Sequence, residues 1–489
     1  MSRMGDALIK HGPEGFDCNE NDESMPAWVP QENDGASRAG RKRSYAEFLE
    51  SKRRSVPDRG IVLTADDMHP SLFPFQKDIA AWAIRKGRAA IFADCGLGKS
   101  RMQLEWARHS ADRSLIIAPL SVARQTVREG AAIDMDVRYV RHQSEVGNSG
   151  VYITNYEMID QFDPALFEAV VIDESGILKH ADSKTRQLLT HRFAETPAKL
   201  ACTATPAPND VAELCNHAEF LGVMTRREMF AAFFVHDEIG WRLKGHAAGP
   251  MYQWMAEWAV ALRTPSDLGY DDTGYVLPEL RIQSEVVDVT IRPDGQLFAT
   301  DLGGIGGRSR VRHQTMDARV TRAAEIVDDG HQWIVWCGLN SEAELVTKMT
   351  DGAVNVYGSM RAEDKAQAFE DFQDGKIRVL VSKPSIAGFG MNFQQCSRMV
   401  FLGIGDSYEV YHQSIRRCYR FGQKEPVDVH IVVSALEQQI VANVQRKERA
   451  AFASTSEMIS YSTLGKDRHV DAVPHERRPR RKLASTSWR

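Results

Sequence analysis

Ala93-Asp94-Cys95-Gly96-Leu97-Gly98-Lys99-Ser100 follows the apolar run 89–92 and precedes a helix-like stretch at 101–108. Strand, glycine loop and helix in that order make a phosphate cradle. Gly96 and Gly98 let backbone N–H groups approach phosphate oxygens at a helix N-terminus. Lys99 can reach the β and γ phosphates, and Ser100 can ligate magnesium. The usual pattern carries Gly where Ala93 stands, and a chance glycine-rich turn is the alternative reading.

Outward from this loop, short β-branched or apolar runs alternate with longer polar or helical stretches. The first series lies at 89–93, 114–119, 151–154, 169–173 and 200–205, and a second at 332–337, 353–357, 377–382, 398–403 and 427–433. That rhythm predicts an α/β fold of two parallel-sheet lobes in tandem. Residues 211–261, rich in Ala, Glu, Met, Phe and Trp, read as a helical extension of the first lobe. The expected organisation is a flexible charged tail over 1–60, a first lobe with its extension over 61–280, a second lobe over 281–462 and a basic tail over 463–489.

Composition sets the outer bounds. The chain has 489 residues, 43% apolar and 26% charged, which is ordinary globular usage and argues against a wholly disordered or fibrous chain. Its net charge of −5 means that any polyanion-binding surface must be a local basic patch. The seven cysteines are scattered and never spaced Cys-x-x-Cys, which argues against a disulfide scaffold or a structural zinc. Apolar runs are strand-length, so no membrane span is expected. A reducing, cytoplasmic setting follows.

Further along, Ala169-Val170-Val171-Ile172-Asp173-Glu174 puts two carboxylates at the end of a buried strand. Such an Asp holds the Mg²⁺ shell and the next carboxylate can deprotonate the attacking water. In the second series, Gln413, Arg417 and Arg420 fall at i, i+4 and i+7, on one helical face. A guanidinium fork from another lobe can stabilise a γ-phosphate in the transition state. Arg416 points roughly 100° away from that face and reads as solvated. His412, His180 and His217 read as packing residues, Cys95 as a small buried thiol, and Phe230, Phe233, Phe234, Trp254 and Trp258 as core rather than base-stacking residues.

Taken together these segments resemble the superfamily 2 helicase-like ATPases of the Swi/Snf type, in a compact phage or bacterial form. Phe75-Gln76, 94–100, 117–121, 153–157, Asp173-Glu174, Thr203-Ala204-Thr205-Pro206, 388–393 and 413–423 stand in that family's motif order. The resemblance implies two RecA-like lobes and a nucleic-acid-dependent ATPase using ATP and Mg²⁺. It implies that Gln76 recognises adenine, that Leu97 belongs to the nucleotide loop, and that Thr203 and Thr205 couple nucleotide to strand. By the same token Pro119, Leu120, Thr154 and Ser382, with Thr205, would lie on the nucleic-acid path, and Gly388, Gly390 and Asn392 at the lobe interface. Two departures stand out: Gly176 in the second carboxylate motif, which removes a side chain that often links ATP state to DNA, and Gly403-Ile404-Gly405-Asp406-Ser407 in place of Asp-Trp-Asn-Pro.

The expected activity is therefore ATP-driven translocation on DNA, duplex favoured and single strand admitted, with a nuclease, methyltransferase or replication partner conceivable. Two other readings stay open: a DEAD/DEAH-type unwinding helicase on RNA or DNA, and a nucleic-acid-binding scaffold whose ATPase has lapsed.

Overall fold

Apolar strand runs with buried side chains on both faces need helices above and below, and the chain meets that need twice. The computed structural model describes residues 55–180, 183–238, 240–288, 311–387, 391–462, 464 and 487–488. Its strands are β1 (Arg88–Ala93), β2 (Arg113–Ala118), β3 (Val137–Tyr139), β4 (Gly150–Asn155), β5 (Ala169–Asp173), β6 (Ala198–Cys202), β7 (Phe234–Asp237), β8 (Gly240–Leu243) and β9 (Ala259–Leu262) in the first lobe. The second lobe holds β10 (Leu280–Val287), β11 (Trp333–Cys337), β12 (Ala353–Val356), β13 (Val379–Ser382), β14 (Arg398–Leu402), β15 (Val427–Ser434) and β16 (Ser487–Trp488).

The first sheet runs β3-β4-β2-β5-β6-β1-β9 and the second β12-β13-β11-β14-β15-β10-β16. Every neighbouring pair in both is parallel. Helical crossovers cover the faces, as parallel pairing demands. In β5 all five residues are buried, and each branched side chain removed from water contributes about 1.5–3 kcal/mol. Because β6 lies between β1 and β5, the segments after all three strands open on one carboxyl edge, where α/β sheets place their ligands.

Six strands were not legible as such: β3, β7, β8, β9, β10 and β16. β3 has three residues, and β10 buries only Ile282 fully, so neither carries a strong apolar signal. β9 lies inside the stretch expected to be helical, which also contains the β7–β8 antiparallel hairpin. This corrects the wholly helical extension: helices Leu214–Leu221, Arg226–Phe233 and Ala248–Met255 share it with strands. Phe230, Phe234, Trp254 and Trp258 are buried in the first-lobe core, with Phe233 packed against it. Residues 55–60 lie against the first lobe, where Gly60 N donates to Arg85 O at 3.0 Å. The tails at 1–54 and 465–486 lie outside the described residues. Among the described residues no helix is long and apolar enough to cross a membrane.

The helix Gln438–Tyr461 joins the lobes. Ile440, Val441 and Val444 belong to the second-lobe core, whereas Met458, on the same 24-residue helix, belongs to the first.

Candidate active site

The glycine loop forms as its sequence requires. Gly96 and Gly98 have φ of 89° and 79°, a region that L side chains rarely adopt. Gly98 caps the helix Lys99–Ser110, so Lys99 and Ser100 sit in its first turn, where N–H groups are free to meet an anion. Lys99 Nζ donates to Ala93 O at 2.7 Å and Asp94 O at 3.2 Å, which folds it across the loop.

Gln76 packs directly against that loop. Its Nε2 donates to Leu97 O at 3.0 Å and its Oε1 accepts from Phe73 N at 3.0 Å. A Cβ on Gly98 would lie 2.2 Å from Gln76 Nε2, so only glycine admits the carboxamide here. One donor and one acceptor of Gln76 remain, the pair that an adenine edge can use. Phe73, Tyr275 and Phe421 cluster beside it, with Tyr275 and Phe421 centroids 4.7 Å apart.

Asp173 and Glu174 end β5 opposite the loop. Burial pushes Asp173 up, with Gln103, Lys99 and the Glu174 amide opposing. Burial likewise pushes Glu174 up to about 7, against Lys99, with Asp173 adding to the rise. Glu174 has φ of 53°, an uncommon left-handed conformation that aims it away from the strand. Two adjacent carboxylates, Asp173 buried and Glu174 partly so, fit a divalent cation, and Ser100 with Asp173 would hold it. Thr203 Oγ1 donates to Glu174 Oε2 at 3.5 Å and accepts from Thr205 N at 3.2 Å.

The second lobe completes the site. Gln413 Nε2 donates to Glu174 Oε2 at 3.5 Å, and Gln413 Oε1 lies 3.8 Å from Cys95 Sγ. Arg417 is buried and donates to Gln413 O at 2.8 Å, Gln413 Oε1 at 2.8 Å and Met391 O at 3.1 Å. Arg420 Nη1 donates to Met391 O at 3.3 Å, and burial with Arg417 beside it pulls its pKa down. A Cβ on Gly96 would lie 3.0 Å from Phe421 N, so the end of this segment seats on the glycine loop itself. The structure brings Gln413, Arg417 and Arg420 together at the lobe interface, but not on one helical face as expected: the helix ends at Ile415, and Arg417 follows it in a turn and Arg420 in a bend.

Two interlobe contacts were missed by the sequence reading. Arg416, expected in solvent, ion-pairs with Asp94, and His412 Nε2 lies 3.8 Å from the same carboxylate. Burial opposes the charged form of Asp94, but Arg416 foremost, then His412, the Cys95 amide and Lys99, hold it below the usual range. The signal was the carboxylate itself: an acid inside an anion-binding loop needs a cation. Glu409, one turn before Gln413, ion-pairs with Lys179 from just beyond Glu174.

The expected nucleic-acid contacts divide. Pro119 and Leu120 line a cleft of about 1330 Å³ between the lobes, shared with Arg124, Arg128, Lys365 and Asn392. Thr154 and Ser382 are fully buried, and Ser382 Oγ donates to Val356 O at 2.8 Å. Neither side chain lines the cleft, which corrects their placement. Thr205 is also buried. Gly388 and Gly390 lie outside the described residues.

Comparison with known proteins bears on the same segments. Residues 318–422 match the helicase conserved C-terminal domain. The chain is 22% identical over 444 residues to the DNA annealing helicase and endonuclease ZRANB3 of Mus musculus, covering 78% of this chain and 40% of that protein. A shorter match, 33% over 97 residues, relates 19% of the chain to 24% of the ATP-dependent RNA helicase FAL1 of Kluyveromyces lactis. Among solved structures, the SWI2/SNF2 ATPase core of Sulfolobus solfataricus in complex with dsDNA aligns with a TM-score of 0.40 at 17% identity, over 82% of this chain and 97% of that one. The chain thus spans well under half the length of the curated relatives it matches.

Proposed function

We propose that this chain is a superfamily 2 helicase-like ATPase of the Swi/Snf type, which hydrolyses ATP to ADP and phosphate while bound to DNA and converts lobe movement into tracking along the duplex; its matches to the helicase C-terminal domain and to ZRANB3 support the reading. One observation carries the reading. Gln413 and Arg416 of the second lobe reach Glu174 and the glycine loop of the first, and Arg417 is held on Gln413 beside them.

From that geometry the chain's own residues take their parts. Lys99 and the loop N–H groups hold the phosphates, and Glu174 orients the attacking water and takes its proton. Ser100 and Asp173 would hold magnesium, which would supply Lewis-acid chemistry when bound. Arg417 and Arg420 bring positive charge from the second lobe to the developing charge on the γ-phosphate. Each closure draws the lobes together on nucleotide and each release lets them part, a hinge cycle that can ratchet along a phosphate backbone. Backbone contacts carry no base code, so sequence specificity is not expected.

Turnover measured with no nucleic acid, single-stranded DNA, duplex DNA and RNA tests this. Stimulation by duplex DNA above the others is expected. The match to an RNA helicase favours a second reading, unwinding of the DEAD/DEAH kind. Stimulation by RNA with strand displacement would establish that reading in place of the first.

A further inference from the structure

We infer that Glu409 is a positioning residue, through which the second lobe sets the segment that presents Glu174. The inference rests on the ATPase reading and adds a part that the family's motifs do not supply.

Glu174 is followed by a five-residue 3₁₀ segment, Ser175–Lys179. Its far end is fixed inside the first lobe, where Asn216 Nδ2 donates to Leu178 O at 2.9 Å and Lys179 O at 3.0 Å. Both ends are also gripped from the second lobe by one helix, Tyr408–Ile415. Gln413 reaches Glu174, and Glu409, four residues earlier and on the same helical face, reaches Lys179. The pair is largely shielded, with side-chain exposures of 19% for Lys179 and 10% for Glu409.

Gly176 makes this second grip possible. A Cβ there would lie 2.2 Å from Glu409 Oε1, so any side chain at 176 would expel the carboxylate. The residue that departs from the family pattern is the one whose missing side chain gives the carboxylate its seat. Withdrawal of the second lobe must break the Gln413 and Glu409 contacts together, because both lie on one rigid helical turn. The base is therefore supported at both ends of its segment only while the lobes are apposed. Glu409 lies on Lys179 and does no proton transfer of its own, which makes it positioning rather than catalytic.

Steady-state ATP hydrolysis with duplex DNA, measured for Glu409→Ala, Gly176→Ala, the double variant and Glu409→Gln, tests the inference. Glu409→Ala should lower kcat on the order of 10- to 100-fold with the KM for ATP little changed, as expected when a reacting group is misplaced while the nucleotide is still held. Gly176→Ala should reproduce that loss alone and add nothing in the Glu409→Ala background, since the two act through one seat. Glu409→Gln, which can still accept from Lys179, should recover part of kcat. Thermal unfolding of each variant separates misfolding from misplacement. Unchanged kcat in folded Glu409→Ala, or losses that multiply in the double variant, would overturn the inference. A wild-type protein that hydrolyses no ATP with any nucleic acid would instead sink the ATPase reading on which it rests.

Discussion

Arg416 of the second lobe forms an ion pair with Asp94, a carboxylate inside the glycine loop of the first. Side-chain exposures of 15% and 14% place this pair largely out of water. Removing one partner of such a pair leaves an uncompensated charge, at a cost of about 3 kcal/mol for a fully buried pair and less here. On the proposed reading Arg416→Ala should therefore weaken ATP binding by roughly tenfold, about 1.4 kcal/mol, because it restores a bare negative charge beside the loop that would hold the phosphates. Asp94→Asn should recover most of that affinity. Nucleotide titration of both variants and their combination measures it, and equal affinity in wild type and Arg416→Ala would remove the pair from nucleotide binding.

How far the site could be read from residues differs by contact. The glycine loop and Asp173-Glu174 were legible because each is a local pattern, a turn chemistry and a strand end, whereas Gln413 and Arg417 meet although the helix read through them ends at Ile415. Arg416 was not legible, because helical period gives a direction from the helix axis and not what another lobe brings there. The same limit hid Glu409, although Gly176 marked its place. In the fold, β5 announced itself by five buried apolar or terminal positions, whereas β9 hid in a Trp- and Met-rich stretch whose burial suits helix and strand alike. Thr154 and Ser382 show a different failure: motif position gave their neighbourhood but not their burial.

In the proposed reaction, Arg417 would contribute charge that is felt mainly as the γ-phosphate departs. Its three hydrogen bonds to Gln413 and Met391 pre-organise the guanidinium, so little order is lost when it acts. Arg417→Ala should lower kcat on the order of 10³-fold with a modest change in ATP affinity. Glu174→Gln should abolish phosphate release while nucleotide is retained, and Lys99→Ala should lose both. Single-turnover kinetics resolve the three, and undiminished turnover in both Arg417→Ala and Arg420→Ala would end the assignment of charge stabilisation to this face.

Acid should destabilise the folded chain between pH 6.5 and 4. Burial pushes His217 down to about 4, with Glu213 and Ser175 opposing. Burial also pushes His412 down to about 4, where Asp94 opposes and Arg416 adds to the fall. Folded pKa values below the ordinary 6.5 mean that the unfolded chain binds more protons, so this stability is complete above pH 6.5 and lost as pH falls toward 4. Glu174, raised to about 7, acts in the opposite sense between pH 7 and 4.5. Denaturant midpoints from pH 7 to 5 should fall in wild type and fall more steeply in Glu174→Gln. Identical slopes in the two would contradict the shift.

Met458 lies in the first-lobe core although its helix is rooted in the second. Arg263 stacks over Phe452 at 4.3 Å and donates to Ser456 Oγ at 2.9 Å, so the last turns of that helix dock as a unit. Met458→Ala should cost about 2–4 kcal/mol by the usual cavity penalty. Hydrogen exchange should rise along 248–262, against which the helix packs, more than at β11. Exchange that rises equally in both lobes would show that the helix does not act as a tie between them.

Leu120, Arg124 and Arg128 recur every four residues on the helix Leu120–Ala131, which places them on one face along the cleft. Both arginines are exposed, and Lys365 faces them from the second lobe across the same cleft. On the proposed reading such a face needs no base code, because guanidinium and ammonium groups would meet phosphates. A chain of net charge −5 gains no attraction to DNA from its total charge, so local cations must supply it. Each phosphate neutralised releases counterions, and each cation removed should flatten the salt dependence of binding by about one unit of slope. Arg124→Ala and Arg128→Ala should therefore weaken duplex binding to a similar degree on unrelated sequences and each reduce the slope of log affinity against log salt. Titrations of fluorescent duplexes across a salt series test this, and variants with an unaltered slope would move the DNA path off this helix.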